Sequence, residues 1–170
     1  LQKLYAMQNP DGGWGWWFAD KSNPFLSAYV VYGLTQARDA GYTVDDGVYD
    51  RAAAFLVDCL HTRTIGAEAA REVSEDERAY IAYVLAEAGE GDLGATVRIY
   101  ENRSELSNRA KAYLLMALAI LSPDEQARLD TLVGDLRDTA VLAATSTYWQ
   151  DEAAWQTMGT DVVTTAVVTQ

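Results

Sequence analysis

Basic side chains are scarce in this sequence. Its 170 residues include 13 lysines and arginines against 25 aspartates and glutamates, a formal net charge of -12. A nucleic-acid backbone or an anionic membrane surface would be repelled, so neither is expected as a partner. Cysteine is scarcer still. Cys59 is the single one, which excludes a disulfide within the chain, and its flanks Val57-Asp58 and Leu60-His61 offer no metal-ligand spacing. No apolar run is long enough to span a bilayer. The sequence also has no initiator methionine, and Thr160 to Gln170 open with a helix cap and an apolar run that stops in mid-pattern. The expectation is one domain over residues 1–170, cut from a longer protein that continues beyond both termini.

Aromatic residues, by contrast, are concentrated. Three of the five tryptophans fall in Gln8-Asn9-Pro10-Asp11-Gly12-Gly13-Trp14-Gly15-Trp16-Trp17. Pro10 and the following Asp11-Gly12-Gly13 cannot continue a helix, so a tight turn is expected. Trp14, Gly15, Trp16 and Trp17 in so short a loop imply that the indoles lie against something, because that much aromatic surface is costly in water. The stretch reads as a clamp fastening two helices.

Along the chain, helix signals alternate between two kinds. Leu1, Leu4, Tyr5 and Gln8 have helical spacing and read as the end of a helix. Asn23-Pro24 is a cap with proline at the first position, and Phe25 to Leu34 is apolar on most faces, which predicts a buried helix ended by Gly41. Thr43-Val44-Asp45-Asp46 has the spacing of a capping box before an amphipathic helix carrying Val48, Ala52, Phe55, Leu56 and Cys59. Ser74 to Glu77 is a second box, leading into Ala79 to Leu85. Leu93, Val97 and Tyr100 mark a short amphipathic helix. Ser107-Asn108 opens a third apolar helix, and Ser122-Pro123-Asp124-Glu125 is expected to cap an amphipathic one with Leu129, Leu132, Val133 and Leu136 on one side. Thr139 to Gly159 fits neither kind and reads as a long loop with a short strand.

Ala28 to Leu34, Ala79 to Leu85 and Ala112 to Leu118 share Ala-Tyr followed by five residues ending in Leu, and Thr165 to Gln170 can begin a fourth copy. Helix pairs repeated in this way, one buried and one half-exposed, predict two concentric helical layers. The Ala-Tyr stripes are expected to be core.

Gln8-x-x-x-Gly12-x-Trp14 resembles the Gln-x-x-x-Gly-x-Trp motif of α/α-toroid proteins, among them terpenoid cyclases, prenyltransferases and the thioester domains of complement and α2-macroglobulins. The string Leu4 to Trp17 with Leu26 to Leu34 is most similar to bacterial α2-macroglobulin-like proteins, and Tyr148, Trp149, Trp155 and Thr160 to Ala166 resemble that family's later helix start. The resemblance implies an all-α fold, a partial α/α toroid. It implies a scaffold fragment of the thioester domain of an extracytoplasmic protease trap, an endopeptidase inhibitor and not an enzyme, with no cofactor or metal. Its partners would be the rest of that domain, neighbouring domains of the parent and, through the parent, target proteases. The family's thioester forms within Cys-x-Glu-Gln. Cys59-Leu60-His61-Thr62 is not that motif, so the reactive centre would lie upstream of Leu1. A full ring in the family has about six hairpins and roughly half are counted here, so uncovered inner surface would favour self-association.

On that resemblance Gln8, Asp11, Gly12, Gly13, Trp14, Gly15, Trp16 and Trp17 form a structural motif that would also shield the thioester, and Tyr148, Trp149 and Trp155 form a distal aromatic loop. The alternative is part of a terpenoid cyclase or prenyltransferase-like enzyme. Three other patterns have plainer explanations. Asp45-Asp46 is explained by helix capping, since Thr43 stands where an aspartate-rich motif would begin. Cys59 and His61 are too close together for a prenyltransferase zinc site and read as a buried thiol and a surface imidazole. Gln150-Asp151-Glu152 reads as a solvated loop, because neighbouring acids cannot flank a glycosidic bond from opposite sides.

Overall fold

The computed structural model describes residues 1–65, 71–152 and 157–170. Eight helices account for most of them: α1 (Gln2–Tyr5), α2 (Pro24–Asp39), α3 (Asp46–His61), α4 (Glu75–Glu87), α5 (Leu93–Glu101), α6 (Asn108–Leu121), α7 (Gln126–Asp138) and α8 (Asp161–Val168). Two antiparallel pairs of very short strands serve as connectors, β1 (Thr64–Ile65) with β2 (Arg71–Glu72) and β3 (Val141–Leu142) with β4 (Thr147–Tyr148).

Helices α2, α4, α6 and α8 stand side by side in that order, each packed on the next. Helix α3 covers α2 and α4, α5 covers α4 and α6, and α7 lies on α6. The result is the two-layered arc of an α/α toroid. The alternation of sequence patterns is its cause. Ala28 and Leu34, Ala79 and Leu85, and Ala112 and Leu118, the first and last positions of the repeat, are all buried, and the alanines let neighbouring inner helices come close.

Position in the row, and not composition, sets how buried each inner helix is. Helix α4, with neighbours on both sides and two outer helices over it, is buried without a break from Glu77 to Ala86. Helix α2 is equally apolar, yet Leu26, Val30 and Tyr32 are half-buried, Gly33 is exposed, and Tyr29 is 53% exposed. The expectation that α2 is buried all round is therefore corrected.

Most helix ends follow the sequence. Asn23 Oδ1 accepts from the Leu26 amide at 3.0 Å, and Ser74 with Glu77 makes the full reciprocal box. Ser107 and Thr160 cap α6 and α8. Helix α2 ends as expected at Gly41, whose φ of +82° lets the Tyr42 amide turn back to the Ala37 carbonyl at 2.9 Å. Two caps differ. Asp45, not Thr43, caps α3, accepting from the Val48 amide at 2.9 Å, because Val44 is drawn into the core and brings the helix start to the residue after it. Ser122 does not cap α7, whose cap residue Glu125 makes no side-chain capping bond. Helix α1 stops at Tyr5, so Gln8 lies in the turn beyond it.

The side chains of Glu77 and Arg78 are buried at the start of α4. Arg78 donates from Nε and Nη2 to the Leu60 carbonyl at 3.0 and 2.8 Å, and from Nη1 to Glu75 at 2.8 Å. Glu77 closes the capping box and accepts from Arg71 at 2.6 Å. Arg78 thus caps the C-terminus of α3 with a charge that its helix dipole favours.

Candidate functional site

The clamp is built around the side chain of Gln8. Its Nε2 donates to the Gly12 carbonyl at 3.0 Å and to the Val48 carbonyl of α3 at 2.9 Å, while its Oε1 accepts from Arg51 at 2.7 Å. One amide therefore fixes the loop to α3. Gly12 has φ +93°, and a Cβ there would run into the Arg51 carbonyl, so any other residue would push the loop off the helix. Asp11 accepts from the Ser22 hydroxyl at 2.6 Å and the Gly13 amide at 3.1 Å, which draws the far end of the loop back towards its start.

Trp14 is the anchor. It is 2% exposed, its backbone amide donates to Ser27 Oγ at 2.8 Å, and its indole Nε1 donates to the Leu4 carbonyl at 2.9 Å. It thereby joins α1 to α2. The expectation that all three indoles lie against protein holds in full for Trp14, in part for Trp16 and not for Trp17. Trp16 is half-buried, and Trp17 and its neighbour Phe18 are 80% and 78% exposed. They stand on a turn closed by the Asp20 amide donating to the Trp17 carbonyl at 3.0 Å, and Asn9 Nδ2 holds the Asp20 carbonyl at 2.8 Å. The reason is that Gly15 packs directly beneath Asp20, so the short chain between them can only loop outwards.

Trp149 repeats the Trp14 arrangement. Its amide donates to Thr165 Oγ1 at 3.0 Å, that hydroxyl donates back to the Trp149 carbonyl at 3.3 Å, and Nε1 donates to the Leu136 carbonyl at 2.6 Å. Trp14 makes the same set with Ser27 and Leu4, including the return bond from Ser27 at 3.4 Å. Each tryptophan ties the end of one helix to the inner helix that follows. Tyr148 lies in β4 beside Trp149, and Trp155 lies outside the described residues. Asp151 corrects the solvated-loop reading: half-buried, it accepts from the Asn108 and Arg109 amides at 2.8 and 3.0 Å and from Thr164 at 3.0 Å. It caps α6 a second time. A carboxylate one residue beyond Trp149-Gln150 was the available signal.

The tyrosines of the repeat have a separate role. Tyr29 and Tyr32 of α2, Tyr80 and Tyr83 of α4 and Tyr113 of α6 line, with Phe25 and Arg109, a cavity of about 270 Å³ bounded on its other side by Met158, Val163, Val167 and Gln170. No residue of α3, α5 or α7 reaches it. Ring centroids are 4.6 Å apart for Tyr80 and Tyr113 and 5.7 Å for Tyr83 and Tyr113. The stripe is core on its alanine and leucine positions and cavity wall on its tyrosine positions.

Burial raises the phenols of Tyr80, Tyr83 and Tyr113 and pushes the Cys59 thiol up to about 12, with Asp58 the next cause for the thiol. Each group holds its proton more tightly folded than unfolded. The stability they confer is complete below the unfolded values, about 8.5 for a thiol and about 10 for a phenol, and is lost as pH rises towards the folded values. Thermal melts should therefore show a lower midpoint at about pH 10.5 than at about pH 8; an unchanged or higher midpoint would refute this. At about pH 8 a thiol reagent should label Cys59 only after unfolding.

His61 Nε2 lies 3.3 Å from Asp92 Oδ2, and Cys59, two residues earlier, is fully buried. Among the described residues no group of three or more histidine, cysteine, aspartate or glutamate side chains could hold a metal ion, and no helix is long and apolar enough to cross a membrane.

No protein-family model matches the chain. It is 27% identical to an alpha-2-macroglobulin of Xylella fastidiosa over 126 residues, which are 71% of this chain and 8% of that protein. It is 43% identical to an alpha-2-macroglobulin of Thermotoga maritima over 56 residues, 33% of this chain and 4% of that protein. A drimenyl diphosphate synthase of Streptomyces showdoensis is 43% identical over 61 residues, 36% of this chain and 11% of that protein. Among solved structures, native alpha-2-macroglobulin from Escherichia coli, spanning domain MG7 to the C-terminus, matches 98% of this chain and 26% of that one, with a TM-score of 0.79 at 22% identity. Salmonella alpha-2-macroglobulin reacted with methylamine matches 95% of this chain and 10% of that one, with a TM-score of 0.76 at 24% identity. The expected all-α toroid arc and the resemblance to bacterial α2-macroglobulins are both borne out.

Proposed function

We propose that this chain is the later part of the thioester domain of a bacterial α2-macroglobulin-like protease trap, and that it serves as scaffold and not as an enzyme. The observation that carries the reading is the continuity of the likeness: the same two-layered arc over 98% of the chain in the Escherichia coli protein, joined to a Gln8-Gly12-Trp14 clamp whose bonds account for every residue type in that motif. The chain is a small part of the relatives it matches, so the trap is a property of the parent. In that parent, extracytoplasmic and provided with a Cys-x-Glu-Gln thioester upstream of Leu1, the exposed Trp17-Phe18 turn and the half-buried Trp16 would form a wall that keeps water from the acyl group. Trp149 and Tyr148 would hold the later helix start, and target proteases would be met through the parent. The mouth of the tyrosine cavity is the surface on which the rest of the ring would close, or a second copy of the isolated chain.

Methylamine on the intact parent tests this, since the amine opens a thioester, adds its own mass and releases a thiol. The expected result is one adduct and one newly reactive thiol, with Cys59 silent because it is buried. A folded parent giving neither adduct nor thiol would overturn the thioester reading. A second reading, part of a terpenoid cyclase, is favoured by the 61-residue similarity to a drimenyl diphosphate synthase and by the aromatic cavity. Turnover of a prenyl diphosphate by the parent would establish it.

A further inference from the structure

We propose that the tyrosine-lined cavity is a binding site for a small apolar anion, with its hydrocarbon body against the tyrosine rings and its carboxylate or sulfonate on the guanidinium of Arg109. Arg109 is 8% exposed and lines the cavity beside Tyr113. Its Nη1 and Nη2 donate to the carbonyl and hydroxyl of Thr157 at 3.0 and 2.8 Å, both neutral acceptors. Among the described residues no carboxylate lies within ion-pairing distance of it. Asp76 and Glu77 border a smaller cleft next to it, but Asp76 accepts from the Ser107 amide, and Glu77 from Arg71 and Ser74.

Asp151 accepts from the backbone amide of Arg109 at 3.0 Å and makes no ion pair with its guanidinium. A buried cation with no ion-pair partner among the described residues is costly, and an anion delivered with its own apolar body offsets that cost. A guanidinium carries five N–H donors, so Thr157 does not exhaust it. The rings of Tyr80, Tyr83 and Tyr113 offer flat apolar walls with polar edges, the usual lining of a small-molecule site, and the volume is at the lower end of such sites. The requirement for a negative head sets this site apart from a merely greasy surface.

The test uses two probes with one ring system: 8-anilinonaphthalene-1-sulfonate and its uncharged counterpart N-phenyl-1-naphthylamine, titrated by fluorescence into the folded chain. One sulfonate probe should bind per chain. Arg109→Gln should weaken the sulfonate probe roughly tenfold and leave the uncharged one unchanged. Val167→Trp, on the opposite wall, should abolish both. Equal loss or equal retention of the two probes in folded Arg109→Gln would overturn the proposal, as would failure of the sulfonate probe to bind the unsubstituted chain. If Arg109→Gln does not fold, Val167→Trp decides: retention of the sulfonate probe overturns the site and its loss supports it.

Discussion

Trp14→Ala is expected to lower the unfolding free energy of the chain by about 3–5 kcal/mol, the range for removing a large buried aromatic side chain. Its ring is enclosed, and its indole bond to the Leu4 carbonyl is what holds α1 against α2. Trp14→Phe keeps most of the ring volume and loses that bond, so its cost should be about 1–2 kcal/mol. Trp17→Ala, three residues on, should change stability by less than about 0.5 kcal/mol, because that side chain is in water already. Urea unfolding followed by helix ellipticity measures all three. Equal costs at positions 14 and 17 would mean that Trp14 does not anchor the loop. The contrast also separates structure from function: on the thioester reading proposed above, Trp17→Ala in the intact parent should leave folding intact and hasten hydrolysis of the acyl bond.

Arg78→Ala is expected to cost about 3–5 kcal/mol, as large as losing the tryptophan, for an electrostatic reason. The guanidinium is buried between α3 and α4, and it is the partner of both the Leu60 carbonyl and Glu75. Deleting it leaves the helix-end Leu60 carbonyl without its side-chain donor in a place water reaches poorly, and leaves Glu75 with Arg63 as its remaining partner. Arg78→Lys should recover part of the loss, because an ammonium cannot span both acceptors as a planar guanidinium does. Arg78→Met restores packing but no donor, and it should stay close to alanine. If Arg78→Met matched the unsubstituted chain in a denaturant melt, the site would be a packing position and the bonds incidental.

The capping signals were legible because they are local. Ser74 and Glu77 meet through a three-residue spacing that any helix start provides, and Asn23-Pro24 needs nothing outside its own turn. The failures were non-local. Thr43 has the right spacing for a cap, but burial of Val44 decided where α3 begins. Asp151 looked solvated in sequence because its partners, the amides of Asn108 and Arg109, lie over forty residues away. The equivalence of Trp149 with Trp14 was equally hidden. The two share a bonding pattern but little of the sequence around them, so the repeat is visible only when both are seen to bind the preceding helix through the indole and the next through a hydroxyl.

By itself the sequence determined that the chain is helical, that apolar and amphipathic helices alternate, and that a tight turn rich in tryptophan follows the first helix. Periodicity, caps and glycine dihedrals act over a few residues and need no tertiary context. Tertiary structure alone decided which apolar surface is core and which is cavity wall. Ala28, Tyr29 and Leu34 belong to one apolar run, yet the alanine and leucine turn into the layer interface while the tyrosine faces the hollow of the arc. A helix presents every side at once, and only its neighbours determine which side water can reach.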